Sequence, residues 1–198
     1  MTKKKILNPF REFSVNLKGD LQRYFATGFR KAQKKINKPK IIFETFLFKA
    51  GFHAVFLYRF SYLFYRLGLS WIAWLIQRFS VMVTGAEIEY NAEIAKGMLI
   101  AHPVGIVIGR GTKIGERFTC YQNVTFGARH LDPKRIFDFP AVGKEVTVFA
   151  GAVVVGGCKL GDGAVVGANA VVLSDVPAKH IAVGIPAKNK PLKGEVAY

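Results

Sequence analysis

His102 is the residue of this chain whose type and setting best suit acid–base chemistry. It stands in Leu99-Ile100-Ala101-His102-Pro103-Val104-Gly105, just after an aliphatic position of a regular repeat. An imidazole titrates near pH ~6.5, so it can accept a proton close to neutrality. A bulky ionisable side chain in a tightly wound coil is expected to project outward, into a groove between coils or subunits. The other histidines read more plainly: His53 as a packing residue on an aromatic helix, His180 as superficial beyond the last repeat. His130 belongs to a loop running from Ala128 to Pro140, where it serves either the acceptor or the structure. In that loop Phe137 or Phe139 can stack on a sugar ring, and Asp132 or Asp138 can bind hydroxyls; a subunit-contact loop is the other reading. Cys120 and Cys158 are too few for a disulfide framework, and Cys120 reads as a small buried hydrophobe.

What positions His102 is a six-residue period. Ile88, Ile94 and Ile100 lead three successive units. After a two-residue slip the pattern resumes at Ile108, Ile114 and Cys120. It is interrupted by the loop, then returns at Val142, Val148, Val154, Leu160, Val166 and Val172. Six residues are too few for a helix. Short strands joined by tight corners wind into a prism with three sides per turn, the leading residues stacking inward about 4.8 Å apart. Gly or Ala after the leading residue, as in Ile114-Gly115 and Leu160-Gly161, eases the corner, where Gly tolerates positive φ. Each coil buries its apolar face only against its neighbours. The repeat fills residues 85–177, with the loop at 127–141 and a tail at 178–198.

Residues 1–84 differ in character. Of the net +16, most lies in residues 1–80, which hold 16 Lys/Arg against Glu12, Asp20 and Glu44. Helical spacing of Leu21, Tyr24, Phe25, Phe29 and Ala32 predicts a helix over 20–36, ended by Lys38-Pro39. Two more are predicted over about 43–68 and 71–83. A membrane span needs ~20 mostly apolar residues, and Lys49, His53, Arg59, Arg66 and Arg78 interrupt every candidate window. The helices are expected to pack on one another and on the base of the prism. A basic aromatic arm also fits a peripheral anchor on anionic membrane, against the alternative of a solvated basic face. Nucleic acid is not expected, since no binding module accompanies the charge. No secretory signal is visible, so the expected location is the cytoplasm, at the inner membrane face if the arm docks there.

Four stretches carry a family resemblance: Lys49-Ala50-Gly51-Phe52-His53-Ala54 with Tyr58-Arg59; Gly97 to His102 continuing through Gly105-Ile106-Val107-Ile108-Gly109; Asn123-Val124-Thr125-Phe126-Gly127; and Val183-Gly184-Ile185-Pro186-Ala187-Lys188. Over residues 46–190 the chain resembles the serine acetyltransferases, a branch of the hexapeptide-repeat acyltransferases. The resemblance implies a mainly β fold, a left-handed parallel β-helix of hexapeptide repeats with an N-terminal α-helical segment. It implies acetyl-CoA as co-substrate, no metal, and a homotrimer with the active site between subunits. His102 matches the family's general base, and Glu87 matches the carboxylate that orients it, where the family usually has Asp. Gly127, Ala150 and Ala168 match positions near the pantetheine groove, and Lys188 a place from which a basic residue approaches the nucleotide phosphates.

The resemblance breaks at the acceptor. The acid that precedes the base in the family is Ala101 here, and the Arg-His pair before the proline that resumes the coils is Asp138-Phe139. An upstream Asp that contacts serine falls on Ile36 by counting. A serine site needs charges paired to a carboxylate and an ammonium. The expected reaction is therefore O-acetylation of a sugar hydroxyl, on a surface polysaccharide or its lipid-linked precursor, with His130, Asp132, Asp138 and Phe139 shaping the site. The alternative is a serine O-acetyltransferase of cysteine biosynthesis. A zinc hydratase on the same prism needs three converging imidazoles, and only His102 and His130 are available. A non-catalytic scaffold leaves His102 without a role.

Overall fold

The computed structural model describes residues 8–29, 49–129, 138–192 and 194. Each six-residue unit gives one strand and one corner, and successive strands go to three sheets in rotation. The first sheet stacks β1 (Glu87–Ile88), β4 (Val107–Ile108), β7 (Thr125–Gly127), β10 (Val153–Val155) and β13 (Val171–Val172). The second stacks β2 (Glu93–Ile94), β5 (Lys113–Ile114), β8 (Ala141–Val142) and β11 (Lys159–Leu160). The third stacks β3 (Leu99–Ile100), β6 (Thr119–Cys120), β9 (Thr147–Val148), β12 (Val165–Val166) and β14 (His180–Gly184). Past Pro177 the ladder continues: β14 is a further parallel rung, and β15 (Ala187–Pro191) folds back antiparallel on its rim. The product is a three-sided parallel β-helix.

All twelve leading residues named above are buried, and they form the core of the prism. Phe126 fills the next leading position after Cys120 and is also buried. The corners differ from expectation in one detail. The glycine directly after a leading residue does not take positive φ. Gly115 is needed because a Cβ there would lie 2.6 Å from the Gly143 carbonyl of the coil above. Positive φ falls two residues later, and non-glycine residues accept it at Arg117, Asn123, Glu145 and Asn169.

Among the described residues three helices close the lower end. α1 (Pro9–Phe29) starts well before the expected Asp20. Its start is set by Asn8-Pro9: the Asn8 Oδ1 accepts the Phe10 N–H at 2.9 Å, and Pro suits the first helical position. The expected continuation to Ile36 lies outside the described residues, as do residues 43–48 of the second predicted helix. α2 (Ala50–Arg66) and α3 (Ser70–Thr84) follow, α3 ending on Gly85 in the left-handed conformation.

The helices supply what the lowest strands lack. β2 and β3 are the free margins of their sheets, with backbone groups that have no rung below. The Tyr24 hydroxyl accepts the Ile100 N–H (2.9 Å) and donates to the Ile100 carbonyl (3.0 Å). Asp20 accepts the N–H groups of Gly97 (2.7 Å) and Met98 (2.9 Å). Tyr58 donates to Ala92 O (2.6 Å), and Arg59 donates to Ile94 O and to Ala95 O (2.7 Å). Arg59 Nε also meets Asp20 Oδ2 at 2.7 Å; the two side chains are 1% and 0% exposed. Burial opposes the charge on Arg59, but the Asp20 carboxylate beside it leaves its pKa raised. Gly51 is explained here as well, since a Cβ would strike the Ile100 carbonyl. Much of the Lys49–Arg59 motif therefore belongs to the joint between helices and prism. On the far side of α3, Trp71, Phe79, Met82 and Val83 are exposed. No helix among the described residues is long and apolar enough to cross a membrane.

Candidate active site

The prism has three long edges, and the candidate residues distribute over two of them. The edge between the third and first sheets carries the corner 101–106, which rests on Gly85 (Gly105 N–H to Gly85 O, 2.9 Å). His102 is exposed on this corner. Glu87 opens β1 at the foot of the same edge, its N–H bonded to Ile106 O at 2.8 Å. His102 and Glu87 thus lie along one edge of the prism. The Glu87 carboxylate lies 3.6 Å from Arg78 of α3, a neighbour that sequence reading missed.

The register that pairs Ile100 with Cys120, Val148 and Val166 runs up this edge. It places His102 in one column with Gln122, Ala150 and Ala168, each a rung above the last. Lys188 lies on β15, the top strand of the third sheet, paired to Val183. From β3 to β15 is five rung spacings, about 24 Å. Beside this column Ala101, Tyr121 and Phe149 form another. The rings of Tyr121 and Phe149 stack with centroids 5.2 Å apart and planes 17° from parallel. Sequence reading missed this platform; its signal was an aromatic at the outward place after the buried Cys120 and Val148. Gln122 Oε1 is buried and takes no hydrogen bond among the described residues. An acceptor left so costs about 1–3 kcal/mol unless a ligand or a second copy supplies a donor.

Gly127 and the described ends of the loop, residues 128–129 and 138–140, belong to the next edge, between the first and second sheets. His130 and Asp132 lie outside the described residues. Asp138 borders a groove of about 360 Å³ with Arg129, Cys158, Ser174 and Asp175 among its lining. The Phe139 ring covers the glycine corner after β4: a Cβ on Gly109 or Gly111 would lie 2.9 or 3.0 Å from it. One face of the half-buried Phe139 ring is thus packed on backbone. Within one chain the first sheet separates Asp138 and Phe139 from His102.

Neither cysteine is poised for chemistry. Burial pushes the Cys120 thiol up, and burial together with Asp175 raises that of Cys158. Native protein at neutral pH is expected to resist iodoacetamide at both thiols and to react at both once unfolded; rapid native labelling of Cys120 would mean that the core opens. Among the described residues no group of three His, Cys, Asp or Glu side chains converges as a metal-ligand set.

Comparison with known proteins agrees with this architecture. Residues 140–174 match the family model for bacterial transferase hexapeptide (six repeats). The prism is therefore that of the hexapeptide-repeat transferases, the left-handed β-helix. A Helicobacter pylori protein named serine acetyltransferase is 40% identical over 146 residues, spanning 73% of this chain and 84% of its own. Soybean serine acetyltransferase complexed with serine superposes with a TM-score of 0.77 at 28% identity, over 91% of this chain and 70% of that one. A serine acetyltransferase in complex with CoA gives 0.76 at 26% identity, over 91% and 70%. The chain belongs to the serine acetyltransferase family. It is an O-acetyltransferase that uses acetyl-CoA.

These relatives overturn the expected sugar acceptor. The expectation rested on family charges missing at 36, 101 and 138–139, and a charge missing at a matched position does not show that the acceptor site lacks it. These relatives give no support to the membrane contact expected through residues 1–80.

Proposed function

We propose that this chain is a serine O-acetyltransferase working through His102. The reading is carried by the 40% identity to a serine acetyltransferase across most of both chains, joined to a histidine and a carboxylate along one edge. His102 takes the proton of the serine hydroxyl as the oxygen attacks the thioester carbonyl of acetyl-CoA. The tetrahedral intermediate collapses with cleavage of the C–S bond, and the imidazolium returns the proton to the departing CoA sulfur. Glu87 orients the imidazole and stabilises its charged form, as the carboxylate of a hydrolytic triad does, with no acyl-enzyme. The edge above His102 takes the carrier: its acyl end at His102, its arm along Ala150 and Ala168, its phosphates towards Lys188.

The active unit we propose is a homotrimer. His102 and the groove at Asp138 occupy different edges of one prism, so a site using both draws on two copies. Uncovered apolar side chains at Val104 and Val107 on the His102 edge, and the Gln122 Oε1 that takes no hydrogen bond among the described residues, support a second copy there. Thiol release from acetyl-CoA should be driven by L-serine and not by a panel of free and lipid-linked sugars. Sugar-driven turnover that serine neither matches nor inhibits would end the serine reading.

A further inference from the structure

Serine presents a carboxylate, and binding it calls for a cation near the base. The edge that carries His102 offers none in its corners: residues 84–86, 101–106, 121–124, 149–152 and 167–170 contain no Lys or Arg. At its foot stands Arg78. Its Nη1 is 3.6 Å from Glu87 Oε1, beyond hydrogen-bond length, and the two side chains are 50% and 36% exposed. An ion pair so open and so long holds its partners weakly. The guanidinium also lies over the Trp74 ring, 5.8 Å from its centroid, which limits where it can swing.

We infer that Arg78 is the residue that binds the acceptor's carboxylate. The inference rests on the serine reading above and deepens it. A guanidinium offers a planar fork of donors that matches a carboxylate, and the remaining N–H groups of Arg78 are not spent on Glu87. It also accounts for an amino-acid acceptor in a chain with an acid at 138: the cation comes from α3, at the joint between helices and prism, instead of from the loop.

The test compares L-serine with L-serine methyl ester, which keeps the hydroxyl and ammonium and lacks the carboxylate. In Arg78→Ala the KM for L-serine should rise about 10–100-fold, the size of a lost charge-assisted contact. The KM for acetyl-CoA should stay put, and the preference of the wild type for serine over the ester should collapse. Arg78→Lys should recover part of the preference. An unchanged KM for serine in Arg78→Ala overturns the inference while leaving the serine reading intact. Equal losses with serine and ester overturn it too, and make Arg78 a support for Glu87. A wild-type protein that ignores serine but acetylates another hydroxyl overturns both.

Discussion

His102→Ala is expected to lower turnover about 10²–10⁴-fold, the contribution of a positioned general base, with the chain still folded. The residue is exposed on a corner whose backbone is held from below by Gly85 and from above by the Asn123 N–H to Val104 O bond (3.0 Å). Removing the imidazole leaves those bonds untouched, so thermal stability should not move. Glu87→Gln should cost less than His102→Ala, because it orients the base and does not take the proton itself. The two losses should not add, since both act on one proton transfer. A fully active His102→Ala variant would remove the chemistry from this edge.

The second large effect concerns stability. Asp20→Ala leaves Arg59 charged and buried, and strips the Gly97 and Met98 N–H groups of their acceptor. Breaking one half of a buried pair costs about 3–5 kcal/mol, a large part of the ~5–15 kcal/mol that holds a domain. At roughly 2–4 °C per kcal/mol for a chain of this size, the melting midpoint should fall by several degrees to well over ten. Replacing both partners, as in Asp20→Leu with Arg59→Met, should recover only part of that loss: no charge is then stranded, but the Gly97 and Met98 N–H groups and the Ile94 and Ala95 carbonyls all lose their partners. A midpoint unchanged in Asp20→Ala would mean that water or another acceptor satisfies Arg59, and that the helices are not fastened to the prism through this pair.

Much of this architecture is legible in the sequence because the period is strict. A leading aliphatic every six residues fixes which side chain points inward, and all the named ones do. Stacking follows from three units per turn, so Ala150 and Ala168, eighteen apart, fall in one column above His102. What a period cannot give is the joint with the helices. Asp20 and Arg59 are 39 residues apart on different helices, and nothing in local spacing pairs them. Arg78 reads as one more positive charge on a basic segment until α3 is seen to bring it within 3.6 Å of Glu87. The sugar acceptor is overturned for a related reason: positions 36, 101 and 138 lack the family's charges, but counting along the chain cannot show which other charges fold next to His102. Phe139 shows the converse, an aromatic in a promising loop with one face occupied by two glycines.

The most direct measurement is product identity. Acetyl-CoA carrying an isotope-labelled acetyl group would be incubated with L-serine and either wild-type protein or His102→Ala, and the products followed by mass spectrometry. A histidine-dependent transfer to serine should give labelled O-acetylserine in step with free CoA, and little of either from the variant. CoA release without a serine-derived product, or equal O-acetylserine from the variant, would contradict transfer to serine by His102.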